Sequence, residues 1–115
     1  WYYEFHIMST TVIGQIGWAI PSAFAPTSHL HGVGDCKYSW GYDGSTQSLW
    51  YNKRKGKSLE SGTGWGKGDV VGCGIDFKSR KMSFYLNGTF KAAFADVPFI
   101  HLMKGLAPAI TLMKG

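Results

Sequence analysis

The stretch from residue 68 to residue 94 most constrains the fold of this chain, because apolar and polar residues alternate along it in two runs. A period of two places every second side chain on the same face of a β-strand. The first run therefore predicts a strand whose core-facing side chains are Val71, Cys73, Ile75 and Phe77. The opposite face carries Gly72 and Gly74, which leave room for a neighbouring backbone or an aromatic ring.

The second run ends at an Asn-Gly pair. Met82, Phe84 and Leu86 form its apolar series, Asn87-Gly88 follows, and an extended pattern resumes over residues 89–94. Asn-Gly between two alternating runs is typical of a two-residue type I′ turn, because both central residues of that turn need positive φ. Residues 70–94 therefore predict a three-stranded antiparallel meander.

Shorter runs elsewhere predict further strands, at residues 1–8, 12–19, 38–42, 49–51 and 106–113. Pro108 cannot donate a hydrogen bond to a neighbouring strand, so it indicates an edge strand or a bulge. Residues 21–35 and 52–67 predict long loops, and no segment has a convincing helical period. Four aromatic residues on strand patterns are expected in the core: Trp18, Trp40, Phe77 and Phe84.

Composition limits the chain to one domain and agrees with an all-β fold. A length of 115 residues suits a single domain, and 16 glycines with 16% aromatic residues are typical of short strands and tight turns. No apolar run approaches the roughly 20 residues of a membrane-spanning helix. Because the chain starts at Trp1 without a methionine, we expect residues 1–115 to be one domain excised from a longer protein.

The net charge of +5 favours acidic partners, such as an acidic peptide, RNA or anionic lipid. Part of the excess lies in one basic run next to two aromatic residues that could stack on bases. This candidate basic patch consists of Trp50, Tyr51, Lys53, Arg54, Lys55 and Lys57. A solvated loop is the simpler interpretation of the run, and nucleic acid is not the expected partner.

The two cysteines do not predict a disulfide framework. Cys73 falls on the apolar face of a predicted strand and is expected to behave as a small buried hydrophobe, whereas Cys36 lies in a polar loop. Chains without such a framework are typical of reducing compartments. The sequence therefore favours an intracellular location, either cytoplasmic or nuclear.

Catalytic and metal-binding patterns have little support. The chain has no Gly-x-Ser-x-Gly elbow and no phosphate-binding glycine motif. Its aspartates Asp35 and Asp43 lie in glycine-containing turns, where aspartate usually caps the turn. His29 and His31 could share a zinc ion with Asp35 and Cys36, but their spacing matches no established zinc pattern. We expect no enzyme activity, no cofactor and no metal site.

Eight short motifs, in one order along the chain, resemble the SPRY domain of the B30.2/SPRY-like family. The motifs are Trp1-Tyr2-Tyr3-Glu4, Ile16-Gly17-Trp18, Gly34-Asp35, Tyr38-Ser39-Trp40-Gly41-Tyr42-Asp43-Gly44, Gly68-Asp69-Val70-Val71-Gly72, Ile75-Asp76, Ser83-Phe84-Tyr85-Leu86-Asn87-Gly88 and Leu106-Ala107-Pro108. The resemblance implies a twisted two-sheet antiparallel β-sandwich without chemistry of its own. Such domains usually have one or two strands before the first motif, so we expect this excerpt to lack its N-terminal strands.

The resemblance also implies a non-catalytic protein-interaction module. In similar domains, the loop after the second motif strand and the end of the last strand help to form a shallow pocket for a short peptide or a partner surface. The matching candidates here are Phe24, His29, Leu30, His31, Met113 and Lys114. Some similar domains place an aromatic residue near the position of Lys114, so this chain departs from an aromatic-lined pocket. The positive charge favours an acidic peptide.

Two alternatives to peptide recognition stay open. Residues 32–44 resemble SPRY domains of intracellular calcium-release channels and of large ubiquitin ligases, which implies a domain that could be packed permanently inside a large assembly. The basic run could instead make the domain an RNA-binding accessory. The sequence does not name the partner or the parent protein, and it gives no oligomeric state.

Overall fold

The structure is a computed structural model that describes residues 1–8, 13–23, 32–59 and 64–112, with the backbone alone at residues 57 and 58. In chain order its elements are β1 (Tyr2–His6), β2 (Ile13–Ala19), β3 (Ser39–Asp43), β4 (Ser48–Tyr51), β5 (Arg54–Ser58), β6 (Val70–Asp76), β7 (Lys81–Leu86), β8 (Thr89–Phe94), α1 (Phe99–Met103) and β9 (Ala107–Leu112). The strands form two antiparallel sheets with the orders β1-β6-β7-β8 and β5-β4-β3-β2-β9. The predicted all-β sandwich is confirmed.

The predicted meander is confirmed as β6, β7 and β8. Leu86 pairs with Thr89, which leaves Asn87 and Gly88 as the two turn residues, with φ of 51° and 83°. The side chain of Asn87 also accepts a hydrogen bond of 2.9 Å from the Val70 amide. This bond fastens the turn to the beginning of β6, so the Asn-Gly pair sets the register of three strands.

The sandwich core lies between the two sheets and is rich in aromatic side chains. Trp18, Trp40 and Phe84 are buried in it, as predicted. Phe84 of one sheet meets Tyr42 of the other at 5.8 Å between ring centroids. Edge-to-face ring contacts of this kind add about 1 kcal/mol to the free energy that burial contributes.

The prediction that Phe77 belongs to the core is wrong. Its alternation with Ile75 continues past the last ladder pair of the sheet, between Asp76 and Lys81. Phe77 is therefore 38% exposed, and its ring packs against Trp1 with the centroids 5.5 Å apart. A side chain beyond the end of a strand has no opposing sheet above it, although the sequence pattern does not change there.

The prediction of a loop over residues 52–67 is wrong for β5. Asn52 and Lys53 have φ of 53° and 59°, and Tyr51 pairs with Arg54 across them. The chain therefore turns back on β4, and Arg54–Ser58 becomes the edge strand of the five-stranded sheet. The turn was missed because Lys53 is an unusual residue for a left-handed conformation. Pro108 lies in β9, the opposite edge strand, so the predicted edge position of Pro108 is confirmed.

No segment of the sequence has a convincing helical period, yet the short helix α1 follows Pro98. Five residues are too few for a helical period to emerge from a sequence. Leu102 is buried and attaches the helix to the sandwich. The helix joins the end of β8 to the beginning of β9, so it lies at the end of the sandwich where Ala19 pairs with Ala107.

Candidate interaction surfaces

The outer face of the five-stranded sheet is covered by the chain itself. All five residues of β3 are buried, although a strand of a sandwich normally turns one face to water. A Cβ atom added to Gly41 would lie 2.6 Å from the carbonyl oxygen of Val33, and Val33 is itself buried. The backbone around Val33 therefore lies directly on the outward face of β3, and we call residues 32–37 the covering segment.

The covering segment is held by hydrogen bonds to the sheet. The Val33 amide donates to the hydroxyl of Thr111 in β9 at 2.8 Å, and the Gly34 amide donates to the hydroxyl of Ser39 at 2.8 Å. Asp35 accepts a bond of 2.6 Å from the Gly32 amide, which confirms it as a turn-capping residue. The segment therefore bridges the last strand and the beginning of β3.

The six predicted peptide-binding residues, Phe24, His29, Leu30, His31, Met113 and Lys114, lie outside the described residues. Two described residues that flank His31 and Met113 lie close together. A Cβ atom on Gly32, which follows His31, would be 2.7 Å from the hydroxyl oxygen of Thr111, two residues before Met113. On its other side the loop leaves the sheet near Ala23, whose amide donates to the carbonyl of Ile20 at 3.0 Å.

The buried carboxylate of Asp43 has a structural role. It accepts hydrogen bonds of 2.9 Å from the amides of Ser45 and Thr46 and from the side-chain amide of Gln15. Burial alone would raise the pKa of the Asp43 carboxyl, but these donors outweigh burial and lower it below its usual value. Asp43 therefore caps the turn between β3 and β4, as predicted from its glycine context.

The candidate basic patch spans the end of β4 and the edge strand β5, and its two aromatic residues already make contacts within the domain. Tyr51 stacks on Trp40 at 5.3 Å between ring centroids, and the indole N–H of Trp50 donates to Thr46 at 3.1 Å. Lys53, Arg54 and Lys55 are exposed, and the side chain of Lys57 lies outside the described part of the chain. Trp50 and Tyr51 are neighbours on one strand, so they point to opposite faces and do not form a common stacking surface.

Both cysteines are free thiols, and no disulfide joins them. Cys73 is fully buried, and burial raises the pKa of its thiol to about 12. The Sγ atom of Cys36 lies 3.6 Å from the hydroxyl oxygen of Ser39. A thiol with the environment of Cys73 is inert at neutral pH, because the thiolate is the reactive form.

The described residues bring together no group of three or more His, Cys, Asp or Glu side chains at metal-binding distances. His29 and His31, the candidate zinc ligands, are outside those residues. In the same part of the chain, none of the helices has the length and apolar character that crossing a membrane requires.

The outer face of the four-stranded sheet carries a row of rings. Tyr2 contacts Tyr85 at 6.0 Å between centroids, and Tyr85 contacts Phe90 at 5.9 Å. The Tyr2 ring lies over Gly72, where an added Cβ atom would collide with the Tyr2 hydroxyl. The sequence predicted that Gly72 leaves room for either a neighbouring backbone or an aromatic ring, and the ring of Tyr2 occupies that room.

Sequence reasoning missed one exposed surface, at α1. Phe99, Ile100 and Met103 are largely exposed, and His101 packs against Trp40 at 5.6 Å between ring centroids. The signal was present as an apolar run after Pro98, but an apolar run alone does not distinguish a buried segment from an exposed one.

Comparison with known proteins agrees with this architecture. The SPRY domain family model matches residues 1–115, and the chain therefore belongs to the SPRY family. It is 37% identical over 116 residues to the E3 ubiquitin-protein ligase RKP of Arabidopsis thaliana. That match covers 100% of this chain but 8% of the relative. SPRY domains are usually protein-interaction modules, so an interaction role without chemistry of its own is the general function of this chain.

Proposed function

We propose that this domain is a non-catalytic recognition module that binds a short peptide or a partner surface through Phe24, His29, Leu30, His31, Met113 and Lys114. The observation that carries the proposal is the hydrogen bond of 2.8 Å between the Val33 amide and the Thr111 hydroxyl. It joins the returning end of the long loop to the end of the last strand, although the two residues are 78 positions apart. Residues on either side of such a junction can contribute to one concave surface.

An acidic ligand agrees with the charge of the chain. The net charge is +5, and two of the proposed contact residues are histidines that gain positive charge below about pH 6.5. An acidic peptide should therefore bind more tightly as the pH falls through that range. Interface energy is usually concentrated in few residues, and rings are favoured among them. Phe24 and the two histidines are the natural anchors.

We extend the proposal to substrate or partner recognition for a ubiquitin ligase, which the name of the relative supports. The name of that relative describes a whole protein of which the matched part is 8%, so the ligase context is part of our proposal. A reducing intracellular compartment agrees with the two free thiols. Permanent docking within a large assembly is the alternative, and the capture experiment described next separates it from peptide recognition.

The test compares proteins captured from cells by the wild-type domain and by Phe24→Ala and His29→Ala variants. Each substitution should weaken capture of a shared partner by about tenfold, equivalent to roughly 1.4 kcal/mol, while the melting midpoint stays unchanged. Phe90→Ala is the matched control, because Phe90 is an exposed ring on the other sheet. Equal capture by all variants at both pH 6 and pH 7.5 would leave permanent docking as the better account.

RNA binding by the basic run has less support. The two rings that could stack on bases already hold contacts within the domain, Tyr51 with Trp40 and Trp50 with Thr46. Binding through lysine and arginine alone would fall steeply as salt rises, because phosphate contacts release counterions. A sequence-selective RNA complex that survives physiological salt and is lost when Lys53, Arg54 and Lys55 become serine would establish that function instead.

A further inference from the structure

We propose that helix α1 is a second docking surface, which binds an acidic peptide segment of a partner protein that also carries large apolar side chains. The surface, here called the α1 surface, consists of Phe99, Ile100, Met103, Lys37 and Lys104. It lies where β9 begins, whereas Thr111 belongs to the other end of that strand. The α1 surface therefore lies at the opposite end of β9 from the hydrogen bond between Val33 and Thr111.

Three apolar side chains share one side of α1. Phe99, Ile100 and Met103 are 61%, 64% and 72% exposed. Met103 follows Phe99 by four residues and Ile100 by three, and these spacings place side chains together on a helix. Single exposed apolar residues are ordinary, but a contiguous set on a single turn is a feature of interaction sites.

The helix is held firmly enough to present these side chains. Leu102 is buried, and the ring of His101 meets the rings of Trp40 and Tyr38 at 5.6 and 5.9 Å. Before the helix, the amide of Val97 donates to the carbonyl of Arg80 at 3.0 Å. A surface that is ordered before binding loses less conformational entropy when a partner binds.

Two lysines give the surface its charge. The Nζ atoms of Lys37 and Lys104 lie 5.2 and 5.7 Å from the centroid of the Tyr38 ring, which packs on His101 of the helix. Burial is the largest cause of the lowered pKa of His101, and the charges of Lys104 and Lys37 lower that pKa further, so the imidazole is mainly neutral at pH 7. The carboxylate before the helix, Asp96, lies 3.8 Å from the guanidinium of Arg80 and is compensated by it.

The charge and the apolar area together define the ligand. The two ammonium groups lie over the Tyr38 ring, which contacts His101 of the helix that carries the exposed phenyl, aliphatic and thioether groups. This combination suits carboxylates next to leucine, isoleucine or phenylalanine. Cations beside apolar side chains can also attract an anionic membrane. We favour a peptide because the family to which the chain belongs usually binds proteins. Membrane binding is an outcome of the test.

The experiment selects ligands for the 115-residue chain from a displayed library of short random peptides. One variant pairs Phe99→Ser with Met103→Ser, and another pairs Lys37→Glu with Lys104→Glu; all four residues are exposed. The matched controls are Phe90→Ser and the pair Lys55→Glu with Lys67→Glu, which alter exposed residues elsewhere. Melting midpoints verify that each variant folds. The lysine pair tests the proposal even if loss of Phe99 disturbs the helix.

We expect selected peptides to combine Asp or Glu with large apolar residues. Each α1 variant should weaken their binding by roughly tenfold or more, while both controls bind as the wild type does. Binding should also weaken as salt rises, because the lysines are exposed.

Three outcomes would overturn the proposal. One is that neither α1 variant, or only one of the two, binds the selected peptides more weakly than the wild type does. Another is binding to vesicles of phosphatidylcholine with phosphatidylserine that the same variants abolish, which would assign the surface to a membrane. The third is a dimer in sedimentation that the Phe99 and Met103 pair disperses, which would assign it to a second copy of the chain.

Discussion

The outer faces of the two sheets differ in what lies on them. Gly41 on the five-stranded sheet lies under the main chain of the covering segment, with the Val33 carbonyl oxygen 2.6 Å from the position of an added Cβ atom. Gly72 on the four-stranded sheet lies under the side-chain tip of Tyr2, which is 54% exposed. Both glycines occupy outward positions of strands, so the sequence presents them alike.

The comparison shows that a glycine on a sheet can serve two different purposes. The Val33 carbonyl lies between two amides that both donate hydrogen bonds, so it cannot move away from a new methyl group, whereas the end of an exposed tyrosine can. The five-stranded sheet and the covering segment therefore form one rigid layer. The outer face of the four-stranded sheet carries exposed rings that can adjust.

The largest effect is expected for Gly41→Ala. The new methyl group would press on the main chain at Val33, and insertion of atoms into a closely packed site costs about 3 kcal/mol of unfolding free energy. Urea unfolding measures the change. Gly74→Ala is the matched control, because its Cβ atom would make an ordinary contact of 3.4 Å with Tyr2. Equal stability of the two variants would contradict the rigid layer.

Asp43→Asn should have the next largest effect, about 2 kcal/mol at neutral pH, because a buried carboxylate that accepts several hydrogen bonds is replaced. The folded-state pKa of Asp43 is lowered, so its stabilisation is complete above the unfolded value of about 3.9 and disappears as the pH falls through the lower folded value. Urea midpoints between pH 7 and pH 2 should therefore decline less in the variant than in the wild type.

Asp76, the last residue of β6 in the four-stranded sheet, provides the control for the Asp43 prediction. It accepts hydrogen bonds from the amides of Lys78 and Ser79 at 2.9 and 3.3 Å, and those amides lower the pKa of its exposed carboxyl. Asp76→Asn should change the midpoint less than Asp43→Asn does at every pH. A larger effect at Asp76 would show that the four-stranded sheet, and not the covered five-stranded sheet, limits stability in acid.

Gly88→Ala should cost about 1–2 kcal/mol of unfolding free energy, because an L-residue is strained at the φ of 83° that this turn position has. No atom lies within 4 Å of an added Cβ atom there, so strain and not crowding is the cause. Thermal unfolding measures the difference. An unchanged melting midpoint would argue against the type I′ turn.

Gly72→Ala should have the smallest effect, less than about 1 kcal/mol, because the exposed Tyr2 side chain can swing its ring away from the new methyl group. A double-mutant cycle with Tyr2→Ala sharpens the result: the cost of Gly72→Ala should disappear once the ring is gone. A cost that persists without the ring would mean that the strand itself needs glycine, and the contrast with Gly41 would fail.

Much of the fold was available from the sequence. The alternation in β6 and β7 identified Val71, Cys73, Ile75 and Phe84 as core residues, and all four are buried. The Asn87-Gly88 pair located the hairpin, and the ordered motifs identified the SPRY family. These features depend on neighbours in the chain, since a strand period and a two-residue turn are local properties of the backbone.

The candidate sites were harder to predict from the sequence than the fold was. The residues predicted for peptide binding remain a proposal, supported by the hydrogen bond between Val33 and Thr111, and no local pattern indicates that bond. The α1 surface was missed because exposure depends on what packs against a helix. Phe77 was misplaced because the sheet ends one residue before it, and the end of a sheet is decided by the partner strand.

The sequence by itself determined which residues can form strands, where the chain turns tightly and which family it belongs to. Only the tertiary structure decided that main chain covers Gly41 while a tyrosine ring covers Gly72, and that α1 presents Phe99, Ile100 and Met103 to water. The physical reason is the distance along the chain between the residues that set each property. Periodicity and turn geometry are set by adjacent residues, whereas coverage and exposure are set by segments that packing brings together from distant parts of the chain.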